Sequence, residues 1–161
     1  MSPALNTLNF GVAVPPGWDV RISDSALGPA GAVDYPVVHA ANFPLPTWRE
    51  DFGGEVVAAM TGGQVFVAIL GYGSDAAGQG LFAAAGLPRP VHPDWFDPHQ
   101  MQRPVAGMAG LQRFFTAQRR AFCLYAVLGS YTRRAALVPL VNKFLAGVTI
   151  QRAASAVQGA P

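Results

Sequence analysis

Glycine and proline interrupt this chain so often that long regular elements are excluded. The 161 residues include 18 Gly and 14 Pro, and both residue types weaken helix interiors and mark turns. Hydrophobic residues still make up 51% of the sequence and charged residues only 12%, so apolar burial can offset the entropy lost on folding. We therefore expect one domain of many short elements over residues 1–152, followed by a flexible tail over 153–161.

The spacing of apolar residues in the first half predicts strands of an antiparallel sheet. Short β-rich runs at 8–14 and 18–23 predict a first hairpin. Residues 35–43 predict a third strand, placed near a sheet edge because Pro36 lacks a backbone donor. The six consecutive apolar residues at 65–70 are typical of a central strand that is buried on both faces.

The second half adds a hairpin and a closing helix. Residues 110–116 and 120–128 predict two paired strands, and an apolar stripe from Leu137 to Val148 predicts an amphipathic helix. With a short helix expected at 52–60, the chain is an α+β domain with a mostly antiparallel sheet of about six or seven strands. Five side chains are expected to be nearly fully buried: Phe66, Ile69, Phe122, Leu124 and Phe144.

Charge is divided unevenly along the chain. All nine acidic residues precede residue 98, and the sequence after that point holds seven Arg, one Lys and no acid. One interpretation is that a single sheet interleaves the two halves, so that their charges neutralise each other at short range. The other is a basic face for an acidic partner, a phosphate or a membrane surface. We favour the first and expect no nucleic-acid partner, because nucleic-acid binders usually cluster Lys and Arg more strongly.

The segment 86–104, called here the proline-rich segment, differs from the rest of the chain. Its five prolines exclude a regular helix or central strand and predict an extended loop. Trp95 and Phe96 lie within it, and their rings either dock onto the domain or are available to a partner. The predicted binding residues are these two rings and three arginines that follow them: Trp95, Phe96, Arg103, Arg119 and Arg120.

Three stretches of the chain carry a resemblance to a known family. They are Val-Pro-Pro-Gly-Trp-Asp-Val at 14–20, Arg-Ala-Phe-Cys-Leu-Tyr-Ala-Val at 120–127, and the closing segment 137–150. They are similar to the opening hairpin turn, late strand and closing helix of the PsbP-like fold superfamily, which includes the photosystem II extrinsic P subunit, a Ran-binding import factor and small actinobacterial proteins. Members are mainly binding, assembly or chaperone modules, so the resemblance implies a bacterial protein-binding module without shared catalytic residues.

Three patterns could carry chemistry, and each has a stronger structural explanation. The sequence from His92 to His99 contains two His and two Asp but lacks regular zinc spacing, which favours a solvated loop. Cys123 lies in an apolar strand with no neighbouring His, as expected of a buried thiol rather than a nucleophile. The glycines at 71–78 resemble a dinucleotide-binding turn, but Ala76 occupies the third glycine position.

These observations predict a non-enzymatic protein-interaction or assembly module. We expect no metal site and no cofactor, and either a protein partner or a homo-oligomer. A small-ligand-binding domain, or an enzyme with a pocket under the proline-rich segment, is the alternative. We expect a cytoplasmic protein without a transmembrane segment, because the apolar stretch 56–74 is broken by Gly-Gly-Gln and a single Cys requires no oxidising compartment.

Overall fold

The computed structural model describes residues 4–7, 9–24, 36–47 and 53–152. The predicted tail at 153–161 lies outside these residues. The described residues form eight strands: β1 (Ala4–Thr7), β2 (Phe10–Ala13), β3 (Asp19–Asp24), β4 (Pro36–Ala41), β5 (Val65–Gly73), β6 (Ala109–Ala117), β7 (Arg120–Leu128) and β8 (Val148–Ile150). The helices are α1 (Gly54–Ala58) and α2 (Arg134–Ala146).

The strands form two antiparallel sheets rather than one. The small sheet has the order β1-β2-β8, and the large sheet has the order β3-β4-β5-β7-β6. The predicted α+β class is confirmed, whereas the prediction of a single sheet of six or seven strands is wrong. The second sheet was missed because β1 and β8 are very short, and because Val148 in β8 continues the apolar spacing of α2.

The first predicted hairpin is also wrong. Strand β2 pairs with β1 and β8, whereas β3 pairs with β4, so the runs at 8–14 and 18–23 belong to different sheets. The Trp18 ring stacks on Phe144 of α2, with ring centroids 5.3 Å apart. This contact holds the connection between β2 and β3 against the helix. Strand periodicity alone does not reveal such a contact.

Strand β4 lies inside the large sheet, so its predicted edge position is wrong. It pairs with β3 on one side and with β5 on the other. Its ladder with β5 begins at Val37, one residue after Pro36. The donor that Pro36 lacks is therefore not needed by that ladder.

Both faces of the large sheet are covered. The first face packs against α2 and residues of the small sheet, and the second face packs against α1 and the loop at 101–108. Strand β5 lies between β4 and β7, which confirms its predicted central position. The five side chains predicted to be buried are each 0% exposed, which confirms the predicted core.

The two halves of the sequence meet within the large sheet, where β5 pairs with β7. The strands of the two halves nevertheless lie in separate blocks on either side of this junction, so the predicted interleaving is wrong for the large sheet. Among the residues that the structure describes, the one ion pair joins Arg21 to Asp19, and both belong to the acidic half. No ion pair between the two halves is present among the described residues.

Strands β6 and β7 form the predicted second hairpin. Their register joins Ala117 to Arg120 across a two-residue turn. The turn residues Gln118 and Arg119 have φ values of 50° and 63°, as a type I′ hairpin turn requires. This hairpin places β6 at the edge of the large sheet, beside the proline-rich segment.

Candidate interaction surface

The proline-rich segment is fastened to the domain rather than projecting from it. Val91 is 1% exposed, and both of its backbone groups are bonded to Asn142 of α2. Its N–H donates to the Asn142 side-chain oxygen at 2.7 Å, and its carbonyl accepts from the side-chain nitrogen at 2.9 Å. Nearby, the Arg89 guanidinium donates to the carbonyls of Leu145 and Val148.

Phe96 lies in the core, so its ring is not part of the surface. It is 2% exposed and packs in the cluster beneath α2. The next residue, Asp97, exchanges two backbone hydrogen bonds with Gly110 of β6, at 2.9 and 3.0 Å. A Cβ at Gly110 would lie 2.8 Å from the Met101 side chain, so glycine allows this close approach.

Trp95 is half-buried and forms the centre of a small exposed cluster. The Arg113 guanidinium lies over the indole, 4.0 Å from the ring centroid. The His92 ring meets the indole edge-on at 4.9 Å, and the Gln100 side-chain amide donates to the Trp95 carbonyl at 3.1 Å. We call the residues Trp95, Arg113 and His92 the Trp95 surface.

Arg113 is exposed, and its side chain makes no hydrogen bond or ion pair within the described residues. Its contact with the Trp95 ring uses no hydrogen bond, so the N–H donors of the guanidinium stay available. Asp94, which precedes Trp95, is also exposed and forms no ion pair with Arg113. The cluster therefore presents a held cation with unused donors beside an aromatic ring.

The other predicted binding residues lie apart from this cluster. Arg103 and Arg119 are exposed, Arg119 within the hairpin turn. Arg120 is 3% exposed, donates to the Gln151 carbonyl and has its guanidinium over the Phe122 ring at 5.4 Å. Of the five predicted residues, Trp95 alone lies in the Trp95 surface, and Phe96 and Arg120 are buried.

Arg113 was not predicted from the sequence, although a signal was present. It lies between Leu111 and Phe115 on the same face of β6, and both of these residues are 0% exposed and face the core beneath α2. A charged residue in the apolar phase of a strand indicates that something covers that position at the sheet edge. The covering group is Trp95, eighteen residues earlier in the chain.

Arg134 also lies over an aromatic ring, at another place on the surface and with different chemistry. The Arg134 guanidinium is 4.4 Å from the Tyr131 ring centroid and also donates to the Tyr131 carbonyl at 3.0 Å. This pair joins residues three positions apart at the start of α2. Arg134 therefore uses one of its donors in a hydrogen bond to the local backbone, whereas Arg113 does not.

The sequence pattern from His92 to His99 forms a turn. The Asp97 side chain accepts from the backbone N–H of His99 at 2.7 Å. Within residues 4–7, 9–24, 36–47 and 53–152, no three His, Cys, Asp or Glu side chains group as metal ligands. The glycine-rich stretch after β5 also differs from a dinucleotide-binding unit, because β5 is antiparallel to both of its neighbours.

Cys123 is buried in β7 on the second face of the large sheet. Burial raises the pKa of its thiol from 9.0 to about 12, and a hydrogen bond with the Gln112 side chain lowers it in part. The thiolate is the reactive form, so this residue is protonated and inert near neutral pH. Burial also raises the pKa of the neighbouring Tyr125, whose hydroxyl accepts from the Gln102 N–H at 2.9 Å.

A cavity of about 290 Å³ lies at the proline-rich segment, lined by Arg89, Pro90, Asn142 and Ala146. Its polar side chains, Arg89 and Asn142, are the ones that bind backbone groups of the chain itself. A cavity of about 450 Å³ lies between α1 and the loop after β4, bounded by Phe43, Val56 and Gln64 among others. Neither joins the Trp95 surface.

Comparisons with protein-family models, with curated proteins and with solved structures found no match to this chain. The resemblance to the PsbP-like fold therefore stays a prediction. Among the described residues, neither helix has the length and apolar character needed to cross a membrane.

Proposed function

We propose that this chain is a non-enzymatic protein-interaction module that binds its partner through the Trp95 surface. The observation that carries the proposal is the exposed Arg113 guanidinium, held 4.0 Å from the Trp95 ring with its N–H donors unused by any residue that the structure describes. Trp and Arg are the side chains most often found at the energetic centre of protein interfaces. The PsbP-like resemblance implies the same class of protein.

Preorganisation supports this function. Trp95 is held by the anchored residues on either side of it, Val91 and Phe96, both almost fully buried. Arg113 is held by the β6 ladder. Because these anchors restrict the two side chains before binding, little conformational entropy remains to be lost when a partner docks. As part of the same proposal we assign the protein to the cytoplasm, since its single Cys is a buried thiol that needs no oxidising compartment.

The test compares the Arg113–Trp95 pair with the Arg134–Tyr131 pair. Wild type, Trp95→Ala and Tyr131→Ala are each immobilised and incubated with extract of the native host, and bound proteins are quantified by mass spectrometry. The expected result is a protein retained by wild type and by Tyr131→Ala but reduced at least about tenfold with Trp95→Ala. Circular dichroism checks that each variant is folded.

The captured protein is then purified and its affinity for the same three chains is measured directly. Equal affinity for wild type and folded Trp95→Ala contradicts the proposal. Equal loss with Tyr131→Ala also contradicts it, because the effect would then not belong to the Trp95 surface.

A further inference from the structure

Strand β6 is an edge strand, and its backbone groups alternate in direction. Residues that flank a two-residue hairpin turn exchange backbone hydrogen bonds, so Ala117 bonds to Arg120. The odd-numbered residues of β6 therefore direct their N–H and C=O groups toward β7. The even-numbered residues therefore direct their N–H and C=O groups away from the sheet. An edge of this kind is a template for another strand unless something covers it.

The protein covers this edge at both ends. Near the start of β6, Gly110 exchanges both backbone bonds with Asp97. Near its end, the Thr116 N–H donates to the Ala84 carbonyl, and the Thr116 carbonyl accepts from the Gly86 N–H, both at 2.8 Å. The edge is thus closed by the chain itself at Gly110 and at Thr116.

Between these ends a short window is open. The Gln112 N–H donates to the Gln100 side-chain oxygen at 3.0 Å. The Gln112 carbonyl and both backbone groups of Phe114 have no partner among the described residues. Two acceptors and one donor therefore point outward from consecutive even positions, in the arrangement that pairs with an extended peptide.

The two sides of the window differ in chemistry. On one side, Phe114 meets the Phe82 ring edge-on, with centroids 5.5 Å apart, and the adjoining Leu81 is 69% exposed. On the other side lie Arg113 and Trp95. A strand added here would place alternate side chains against an apolar surface and against a cation.

We propose that an extended peptide carrying an acidic side chain adds to β6 at Gln112 and Phe114 as an antiparallel strand. This rests on the proposed function, because Arg113 belongs to both sites. One peptide residue exchanges two hydrogen bonds with Phe114, and the residue two positions later donates to the Gln112 carbonyl. The residue between them lies opposite Arg113 and is Asp or Glu, and the first faces Phe82 and is apolar.

Charge decides between this occupant and a second copy of the chain. Two β6 edges pairing with each other would bring the two Arg113 side chains onto the same face of a short shared stretch. Like charges at close cross-strand positions are destabilising, and edge cations are a common means of preventing self-pairing. The same cation attracts an acidic peptide.

The experiment uses the synthetic peptide Ser-Thr-Val-Glu-Val-Thr-Ser with capped ends and a fluorescent label, titrated against the full chain by anisotropy. Methylation of the backbone nitrogen of either Val removes a donor that points at β6, and we expect each to weaken binding at least about tenfold. Methylation of the Glu nitrogen, which points to solvent, leaves the affinity unchanged. Any other pattern, or no binding of the labelled peptide at about 1 mM protein, overturns the proposal.

A second experiment reverses the charge at position 113 and in the peptide. Arg113→Glu is expected to weaken binding of the Glu peptide at least about tenfold and to strengthen binding of the matching Lys peptide. Arg119→Glu, which changes an exposed arginine in the turn of the same hairpin, is the matched control and should change neither affinity appreciably. Equal effects of the two variants contradict recognition by Arg113.

The two proposals fail separately. If Trp95→Ala abolishes binding of the native partner but the methylation pattern is absent, the interaction surface stands and strand addition is wrong. If the methylation pattern is present but no native partner depends on Trp95, strand addition stands and the proposed function is wrong.

Discussion

The inner and outer sides of the proline-rich segment have different roles. On the inner side, Val91, Phe96 and Met101 are at most 6% exposed and belong to the two core clusters. On the outer side, His92 and Trp95 lie at the surface. A proline-rich stretch that forms no strand of its own can still complete a hydrophobic core, and its fastening leaves the other side at the surface.

The largest expected effect is loss of the inner ring. Phe96→Ala leaves a cavity beneath α2, and we expect it to lower the free energy of unfolding by about 3 to 5 kcal/mol. Phe122→Ala, which removes a ring from the large sheet itself, should have an effect of the same size. Denaturant titration measures both. A loss below about 1 kcal/mol for Phe96→Ala would mean that the segment is not part of the core.

The next largest effect is expected from loss of the Asn142 side chain, which anchors the proline-rich segment to α2. Asn142→Ala removes both hydrogen bonds to the buried Val91, and we expect a loss of about 1 to 3 kcal/mol because the backbone groups are left unsatisfied. Asn142→Asp is the matched variant, because it keeps the acceptor for the Val91 N–H and removes the donor to its carbonyl. A wild-type melting curve for Asn142→Ala would show that the segment stays docked without this anchor.

The free energy of unfolding should also respond to alkaline pH through Tyr125, whose hydroxyl accepts from Gln102 of the proline-rich segment. The pKa of Tyr125 is raised above 10.0 chiefly by burial, so the folded state holds its proton when the unfolded state has lost it. The resulting contribution of Tyr125 to the free energy of unfolding is fully present below pH 10.0. It is lost as the pH rises through the pKa that Tyr125 has in the folded state. Tyr125→Phe should flatten the decline of unfolding free energy above that pH. An unchanged slope in denaturant titrations at several pH values would refute this assignment.

The outer side should contribute least to stability. Arg113→Ala removes a cation–π contact at an exposed site, which is expected to cost about 0.5 to 1 kcal/mol. Thermal melting compares this variant with Arg134→Ala, which loses the same kind of contact and a hydrogen bond as well. If Arg113→Ala destabilised the fold as strongly as Phe96→Ala, the Trp95 surface would be structural and the contrast between the two sides would disappear.

Local patterns predicted the elements whose signal lies within a short stretch of sequence. Strands β6 and β7 were predicted because a short turn joins two alternating runs, and β5 because six consecutive apolar residues need burial on both faces. The site was predicted only in part. Trp95 was identified by its position between prolines, but Arg113 was not, because its contact with the ring depends on how a loop lies across a sheet edge.

The sequence by itself determined that this chain is an α+β domain, which residues enter the core of β5 and β7, and where the proline-rich segment begins and ends. Only the tertiary structure decided that the strands divide into two sheets, that Phe96 turns inward and Trp95 outward, and that β6 keeps an open window. The physical reason is separation along the chain. Val91 meets Asn142 across 51 residues, and such contacts are selected by the packing of the whole domain rather than by any local pattern of side chains.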